Sequence, residues 1–327
     1  MTIGGDGLIV IGENLNATRK IKGSSPAIVT DGDRKGLPYT DLSGKRRLLD
    51  LTDVFPKDPD EQASAMVPYV AQCFRNRDLG YLGMAVHGQL RAGAHIIDLC
   101  VDEMSPYSEE RMAWMEWLVR AVQEMTEAVV SIDSSDPATI EAGLKVHDRA
   151  KSRPFINSVN LEDGRHVLHA MAKDYNAYLA GNASGQAGMP YSAEERVENL
   201  VELSKQMDAH SIPMEDRFLD ALVFPVGAGS AYGAHYLDAV AQLRAIFPDV
   251  HLFGGHSNIS FGLPNRKMLN DAFVILSILA GCDTIMVDPL TNVPERYVEF
   301  KFAADAVTGK DESCIRYIAW FRQTQAR

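Results

Sequence analysis

Apolar runs of strand length alternate with amphipathic, helix-like segments along most of the chain. The first run, residues 8–12, ends at Gly12 and leads directly into polar residues, and from Leu79 onward the alternation is regular. Short apolar runs followed by segments with a 3.6-residue apolar repeat are typical of strands followed by helices. The pattern predicts eight strands, at residues 8–12, 95–99, 128–132, 154–156, 177–180, 218–223, 250–253 and 284–287.

The segments between these strands carry helix signals. Ser192 and Glu195 form a capping box, and Asp136-Pro137 combines an N-cap with a proline at the first helical position. The Met and Leu residues after Ser108 recur at helical spacing, which indicates a core-facing stripe rather than a cofactor site. The predicted helices span about 79–92, 108–122, 137–146, 162–173, 192–209, 236–246, 265–280 and 295–306.

The regular alternation predicts the fold class. Eight βα units in one chain favour parallel strands that close into a (β/α)8 TIM barrel, because each helix returns the chain to the start of the next strand. An open, doubly wound sheet is the alternative that the same pattern leaves. We therefore expect a single barrel domain over residues 1–327, with its chemistry at the carboxyl ends of the strands.

One long segment, from about residue 17 to 78, interrupts the alternation after the first strand. Gly, Pro and charged residues are scattered through it, and only 61–77 has a helical pattern. Irregular segments of this length are uncommon in compact folds and are usually functional or disordered. Because the segment follows a strand end, we expect it on the pocket face, as a lid, a docking surface, an oligomer contact or a functionless insertion.

Composition and charge narrow the classes of partner. The 327 residues are 46% hydrophobic and 23% charged, and the longest apolar run, 273–280, is far shorter than the roughly 18 residues of a membrane span. The net charge of −12 argues against nucleic acid or an anionic membrane as the main partner. These features predict a soluble protein that binds neither nucleic acid nor membrane.

The cysteines and the N-terminus indicate a compartment. The cysteines lie far apart without a Cys-x-x-Cys pair, which argues against a disulfide framework and a structural zinc site. The N-terminus has neither a basic region nor a long apolar stretch, so no export signal is predicted. We expect buried thiols and a cytoplasmic location. The four cysteines are Cys73, Cys100, Cys282 and Cys314.

Asp, Asn and Glu residues stand at the carboxyl ends of the predicted strands. The set has neither the convergent His and carboxylate ligands of a catalytic metal site nor a phosphate-binding Gly-x-x-x-x-Gly-Lys loop, so no metal is predicted. Carboxylates and amides suit a flat, neutral heterocycle with several donors and acceptors. The residues are Glu13, Asn14, Asn16, Asp98, Asp133, Asn157, Asp220, Asn258 and Asp288.

The most informative strand end is Gly254–Pro264. The apolar run 250–253 leads into two glycines, and Ser257 and Asn258 follow just before a predicted helix. This arrangement aims polar side chains at a ligand in α/β proteins. His256 in the same stretch is interpreted as a packed, neutral histidine and not as a catalytic residue.

Five ordered motifs resemble the pterin-binding barrels, specifically the methyltetrahydrofolate:corrinoid methyltransferases. The resemblance covers residues 8–16 and about 79–288, and its motifs are Ile11–Asn16, Ser131–Ser134, Phe155–Ser158, Phe218–Asp220 and Gly254–Asn258. It implies that Asp133, Asn157 and Asp220 bind the pyrimidine side of the pterin and that Asn258 lies near the methyl-bearing nitrogen. Further pterin contacts are expected from Glu13, Asn16, Asp98 and Ser257.

The resemblance implies methyl transfer between methyltetrahydrofolate and cobalamin. The leaving nitrogen must gain positive charge, and we expect Asn258 to strengthen its hydrogen bond as that nitrogen is protonated, which stabilises the transition state. Asp133 is expected to assist through a water. These two residues are the predicted catalytic set.

The corrinoid is expected on a partner protein, because the pterin already fills the strand ends and the chain has no Asp-x-His-x-x-Gly cobalamin-binding segment. The long insertion favours a demethylation pathway, in which methylcobalamin supplies the methyl group to tetrahydrofolate. Homodimers are common for such barrels, so a homodimer is expected.

Two alternatives are weighed against this function. Dihydropteroate synthases share the barrel and the pterin pocket, but they have an Asn-Val-Thr-Pro-Asp-Ser-Phe type segment after the first strand and Ser-Arg-Lys after the seventh. Here the corresponding stretches are Glu13–Asn16 and Ser257–Ile259. The second alternative is a non-catalytic pterin-binding subunit of a corrinoid complex, against which Asp133 and Asn258 argue.

Overall fold

Thirteen strands lie in residues 7–325, the part of the chain that the structure, a computed structural model, describes. Most begin with apolar, β-branched or aromatic residues, which favour the pleated and buried environment of a sheet. The strands are β1 (Ile9–Asn16), β2 (Ile21–Lys22), β3 (Val29–Asp31), β4 (Arg34–Thr40), β5 (Arg46–Asp50), β6 (Met66–Val67), β7 (Ile96–Cys100), β8 (Val129–Asp133), β9 (Phe155–Val159), β10 (Tyr178–Asn182), β11 (Arg217–Asp220), β12 (His251–Phe253) and β13 (Thr284–Val287).

Eight of these strands form a parallel barrel, which confirms the predicted fold class. They pair in the order β12-β11-β10-β9-β8-β7-β1-β13. The ends of this sheet meet, because Asp283 N donates to Leu252 O at 3.3 Å and Gly255 forms a parallel bridge with Met286. Most strands match the predicted positions, but β1 extends to Asn16 and β9 to Val159, so Glu13 and Asn157 lie within strands and not beyond them. β11 ends at Asp220, three residues before the predicted end of that strand.

Helices cover the outside of the barrel. Two predictions need correction: the helix predicted from residue 162 begins only at Val167, after a turn in which Asn160 Oδ1 accepts from Glu162 N at 3.1 Å, and the last helix was not predicted. The helices are α1 (Pro59–Gln62), α2 (Tyr69–Arg75), α3 (Leu79–Arg91), α4 (Ser108–Gln123), α5 (Pro137–Val146), α6 (Val167–Tyr175), α7 (Ala193–Ala209), α8 (Tyr232–Ile246), α9 (Arg266–Ala280), α10 (Pro294–Val307) and α11 (Ile315–Gln325).

The barrel interior is a packed layer of side chains. Phe155 and Phe218 face each other with ring centroids 4.8 Å apart, and the layer consists of residues in the barrel strands. Filled interiors of this kind leave the carboxyl ends of the strands as the open face of a TIM barrel. The polar strand ends therefore lie above an apolar floor formed by Ile9, Ile11, Ile96, Phe155, Tyr178, Ala180, Phe218, Phe253 and Met286.

The insertion is folded, which corrects the expectation of an irregular segment. β3, β4 and β5 form an antiparallel sheet, and β2 pairs with β6 at the base of the insertion. The strands are short and largely exposed, so they lack the long apolar runs from which a sequence predicts strands. In the predicted helical part, α2 begins only at Tyr69.

Most of the insertion packs on the flank of the barrel and not over its mouth. Tyr39 OH donates to Asp78 Oδ1 at 2.7 Å, and Leu42 Cδ1 lies 3.3 Å from the position of a Cβ on Gly83 of α3. Met125 Sδ, just beyond the carboxyl end of α4, lies 3.7 Å from the same position. The sheet therefore extends away from the strand ends, and only the first residues of the insertion remain on the pocket face.

Two further observations concern membrane-spanning helices and the cysteines. Over residues 7–325 no helix combines the length and the apolar character that crossing a bilayer requires. All four cysteines are free thiols; three are buried, as predicted, and Cys314 is half-buried.

Candidate active site

Adjacent strands of the barrel present their polar residues at matching levels. Asp133 of β8 pairs in register with Asn157 of β9, and Asn182 of β10 pairs with Asp220 of β11. Parallel strands in register place these side chains around one mouth. The structure thus places the predicted pyrimidine-side residues around one mouth with Asn182, which follows the predicted strand 177–180 and was not among the predicted site residues.

Asp98 lies beneath Asp133 and Asn157 and is fully buried. Ser131 Oγ donates to Asp98 Oδ1 at 2.6 Å and Asn157 Nδ2 donates to the same oxygen at 3.3 Å. Within residues 7–325, Asp98 Oδ2 has no hydrogen-bond partner. Burial raises the pKa of Asp98 to about 7, because a charged carboxylate is poorly solvated there.

Asp133 carries the more strongly perturbed carboxyl group. Burial raises its pKa well above the usual range, and the negative charges of Asp98 and Asp102 raise it further. Two neighbouring carboxyl groups in a poorly solvated place favour sharing of a proton. This pair can therefore present either an acceptor or a donor to a ligand at the mouth.

Asp102 and Arg165 hold the loops beside this pair, and the sequence analysis found neither. Asp102 accepts from Ser134 Oγ at 2.5 Å and from Ser135 N at 2.8 Å. The buried Arg165 guanidinium donates to the carbonyl oxygens of Ser134, Ser135 and Ser158. These bonds fix the loop after β8 and the end of β9, and hence the positions of the pterin-site candidates on both strands.

Asp220 is the carboxyl group at the end of β11, three strands along the barrel from Asp133 of β8. Leu222 N donates to Asp220 Oδ1 at 2.7 Å, which fixes the carboxyl orientation. Burial raises the pKa of Asp220 to about 7, although the charge of Arg196 partly opposes this. Arg196 is fully buried and holds the loop by donating to Ala221 O at 2.8 Å.

Asn182 ends β10, between the strands that carry Asn157 and Asp220. Its Nδ2 donates to Ser158 Oγ at 2.8 Å and its Oδ1 accepts from Ser184 N at 2.9 Å. The amide therefore connects β9 to the loop after β10. Its position at the end of a predicted strand was the signal that could have placed it in the site.

Asn258 lies on a 3-10 helix, His256–Ser260, which follows β12 directly. Its side chain is exposed, and the amide has no hydrogen-bond partner among the described residues. Gly254 is required by a close approach, since a Cβ there would lie 2.7 Å from Tyr236 OH and 2.9 Å from Val223 Cγ2. The amide is thus free to meet a ligand at the mouth.

His256 points into the protein. It is fully buried, with its ring centroid 6.0 Å from that of Tyr236 and 5.7 Å from that of Phe273. Burial lowers its pKa to about 4, and neither ring nitrogen has a partner within residues 7–325. This is the packed, neutral histidine that the sequence predicted.

The remaining strand ends, those of β13 and β1, form an ion-paired group around Arg19. The guanidinium bonds to Asp288, lies 3.5 Å from Glu13 Oε1, and donates to Tyr69 OH at 3.1 Å. Ser257 Oγ also donates to Glu13 Oε1, at 2.8 Å. Burial raises the pKa of Glu13, while Arg19 and Ser257 oppose that rise. The sequence analysis missed Arg19 because it lies in the insertion, outside any predicted element.

Asn16 differs from the other predicted pterin contacts. Its Oδ1 accepts from Thr18 N at 2.9 Å and from Thr18 Oγ1 at 2.6 Å. This oxygen is therefore engaged in the turn that leaves β1. Asn14, its neighbour on β1, has a buried Oδ1 without a partner among residues 7–325, while its backbone N donates to Gln89 Oε1 at 3.1 Å.

A comparison with known families identifies the family to which this barrel belongs. The family model described as "Pterin binding enzyme" matches residues 75–288, which is more than half of the chain. The chain belongs to the pterin binding enzyme family. The matched span contains every barrel strand except β1 and ends at Asp288.

Named relatives of this pterin binding enzyme include methyltransferases. It is 29% identical over 266 residues to "Methylcorrinoid:tetrahydrofolate methyltransferase" of Eubacterium limosum, which covers 80% of this chain and 95% of the relative. It is also 29% identical over 225 residues to methionine synthase of Mycobacterium tuberculosis, covering 63% of this chain but only 18% of that protein.

Solved structures of dihydropteroate synthases share the fold of this pterin binding enzyme. The enzyme of Coxiella burnetii, solved with pteroic acid, superposes with a TM-score of 0.61 at 12% identity over 92% of this chain and 94% of that one. The enzyme of Yersinia pestis gives a TM-score of 0.56 at 18% identity, over 71% and 90% of the two chains. At such identities the likeness concerns the barrel alone.

Proposed function

We propose that this pterin binding enzyme transfers a methyl group between N5 of methyltetrahydrofolate and the cobalt of a corrinoid carried by a partner protein. The observation that carries the proposal is the amide of Asn258, which has no hydrogen-bond partner among the described residues and lies after β12, at the same mouth as Asp133 and Asp220. The similarity to the methylcorrinoid:tetrahydrofolate methyltransferase over most of both chains supports the same reaction.

The pterin is assigned to the half of the mouth formed by β8, β9 and β11. Asp133 and Asp220 supply carboxylates to the ring and amino N–H groups, and Asn157 supplies an amide for adjacent donors and acceptors. Asp98 holds Asn157 from below through the 3.3 Å hydrogen bond. A ring rich in N–H groups satisfies carboxyl groups that form no ion pair among the described residues, which is the chemical fit of this pocket to a pterin.

Asn258 is assigned to the reacting nitrogen. The corrinoid cobalt exchanges the methyl group with N5, and the bonding electron pair stays with cobalt when the methyl group leaves it. The Asn258 amide holds N5 by a hydrogen bond that strengthens as charge develops on the nitrogen, and its effect is therefore specific to the transition state. Asp133, whose pKa is raised by burial and by the neighbouring Asp98 and Asp102, is assigned to proton exchange through a water.

The rim of the mouth suits a partner protein. Large apolar side chains on its loops are exposed: Tyr107 by 68%, Tyr191 by 77% and Phe261 by 66%. Exposed apolar groups around a pocket are typical of protein interaction sites. We assign this rim to the corrinoid protein, and methyl transfer from the corrinoid to tetrahydrofolate as the physiological direction, within a demethylation pathway.

Three further properties belong to the same proposal. The chain acts as a single barrel domain, since Leu37, Leu49 and Leu51 of the insertion join the hydrophobic core of the barrel. We assign it to the cytoplasm on its four free thiols. A homodimer is assigned on the precedent of similar barrels.

A methyl-transfer assay with the purified protein tests the proposal. With methyltetrahydrofolate and free cob(I)alamin we expect formation of methylcobalamin, followed by its visible absorbance, and with methylcobalamin and tetrahydrofolate we expect the reverse. A protein that binds methyltetrahydrofolate but transfers no methyl group in either direction contradicts the proposal and favours a non-catalytic subunit. Condensation of a pterin diphosphate with p-aminobenzoate would instead indicate a dihydropteroate synthase.

A further inference from the structure

We propose that Arg19, the first charged residue of the insertion, is a positioning residue that sets the Asn258 loop for methyl transfer by acting through Glu13 and Ser257. The inference rests on the proposed function and deepens it. It assigns a role at the mouth to an insertion whose sheet lies elsewhere, on the flank of the barrel.

A short series of contacts joins Arg19 to the residue next to Asn258. Arg19 Nη1 lies 3.5 Å from Glu13 Oε1, and that oxygen accepts from Ser257 Oγ at 2.8 Å. Ser257 precedes Asn258 in the same 3-10 helix. Any change in the position or charge of Glu13 therefore reaches the Asn258 backbone through one hydrogen bond.

Arg19 also forms ion pairs with two carboxylates on adjacent strands. β1 and β13 are paired in the barrel, and Glu13 and Asp288 come directly after the paired residues Gly12 and Val287. Arg19 bonds to Asp288 and pairs with Glu13, and its side chain is only 24% exposed. Partly buried carboxylates that lose their cation either repel each other or take up a proton. In both cases Glu13, which accepts the hydrogen bond from the Ser257 hydroxyl, changes its position or its charge.

The base of the insertion holds Arg19 in place from both ends. β2, which begins two residues after Arg19, pairs with β6, and Tyr69 at the start of α2 accepts from Arg19 Nε at 3.1 Å. The two ends of the insertion therefore meet at the guanidinium. This explains how a flank-bound segment can fix a side chain at the mouth.

The other charged groups that face Glu13 determine what its titration would show. Arg266 of α9 lowers the pKa of Glu13, whereas Asp288 raises it, and Asp98 of β7 is close enough to interact. Burial is the largest influence and raises the pKa. Loss of Arg19 removes the largest opposing influence, so the acid limb of the rate profile should move to higher pH.

The test compares Arg19→Gln and Arg19→Lys with the matched control Lys20→Gln. Lys20 is the adjacent residue and pairs with Glu103 at 3.6 Å, but both side chains are exposed, by 39% and 52%. Among the described residues neither forms a hydrogen bond or ion pair with Glu13, Ser257 or Asn258. For each full-length variant, kcat, KM for methyltetrahydrofolate and the pH profile of kcat are measured with free cob(I)alamin. Pterin affinity and thermal unfolding report separately on the folded state.

For Arg19→Gln we expect kcat to fall by about ten- to a hundredfold, as small misplacements of reacting groups do, with KM within about threefold of wild type. The acid limb of the profile should move to higher pH. Arg19→Lys, which keeps the charge, should retain the wild-type limb with a smaller loss of kcat, and it carries the test if Arg19→Gln does not fold. Lys20→Gln should match wild type.

The inference is overturned if the Arg19 variants keep kcat within about twofold of wild type, or if only pterin affinity changes. It is also overturned if a loss of kcat occurs without any shift of the acid limb in Arg19→Gln, because a purely structural role would give that result. Failure of the proposed function gives a different result, since the wild-type protein would then transfer no methyl group.

Discussion

The carboxyl groups in the two halves of the barrel mouth differ in whether they form ion pairs. On the side of β7, β8 and β11, Asp98, Asp133 and Asp220 form no ion pair within the described residues, and burial raises the pKa of each. On the side of β13 and β1, Arg19 pairs with both Glu13 and Asp288. The first half therefore keeps carboxylate oxygens available for a ligand, while the carboxylates of the second half are already paired with Arg19.

We infer from this difference which half binds the ligand. Burying a carboxyl group without a cation costs folding free energy, and such groups persist where a ligand uses them. The ion-paired half instead has a fixed geometry, suited to holding the loop that carries Asn258. The predictions that follow test this division, beginning with the largest expected effect.

Asp220→Ala should weaken methyltetrahydrofolate binding by about a hundredfold or more, because two charge-assisted hydrogen bonds are each worth about 1.5–3 kcal/mol. Titration calorimetry measures the affinity. Asp238→Ala, an exposed Asp on α8, is the matched control and should bind as wild type does. An affinity within about threefold of wild type would remove Asp220 from the pterin site.

Pterin affinity should fall as the pH is lowered through 7, since the pKa of Asp220 and that of Asp98 are each about 7. Below that value the carboxyl groups are protonated and lose acceptors for the ring N–H groups. Each pH unit should cost about tenfold in affinity once one proton must be released on binding. A pH-independent affinity between about pH 5.5 and 8 would contradict the division of the mouth.

Asp220→Asn should raise thermal stability at about pH 8, by a few degrees. A group whose pKa is raised on folding destabilises the folded state above that pKa, because ionisation is then less favourable than in the unfolded chain. The same substitution at Asp288, which loses its pair with Arg19, should lower stability. Calorimetric unfolding of both variants measures the contrast, and equal shifts would show that the two halves do not differ.

The smallest effect is expected from the flank-bound sheet of the insertion. A double variant Lys45→Glu and Arg46→Glu changes two exposed side chains at the β4–β5 turn, far from the mouth. Methyl transfer to free cob(I)alamin should stay within about twofold of wild type. A larger loss would show that this sheet contributes to the mouth.

The barrel and the pterin half of the site were predictable from the sequence, and the Arg19 half was not. The strand and helix periods are local signals, and Asp133 and Asn157 directly follow predicted strands, whereas Asp220 lies inside the predicted strand 218–223 and ends the observed one. Arg19 and Arg165 act through partners far along the chain, at Asp288 and at Ser134. No local pattern marks such contacts, and the short exposed strands of the insertion lack the apolar runs that would have predicted them.

The most direct test of the account is the methyl-transfer rate of Asn258→Ala at saturating methyltetrahydrofolate and cob(I)alamin. If Asn258 holds the reacting nitrogen, kcat should fall by about a hundredfold or more, as for removal of one transition-state hydrogen bond, with pterin affinity little changed. A variant that keeps the full rate would contradict the assignment of Asn258 to the reacting nitrogen, and with it the proposed division of work across the mouth.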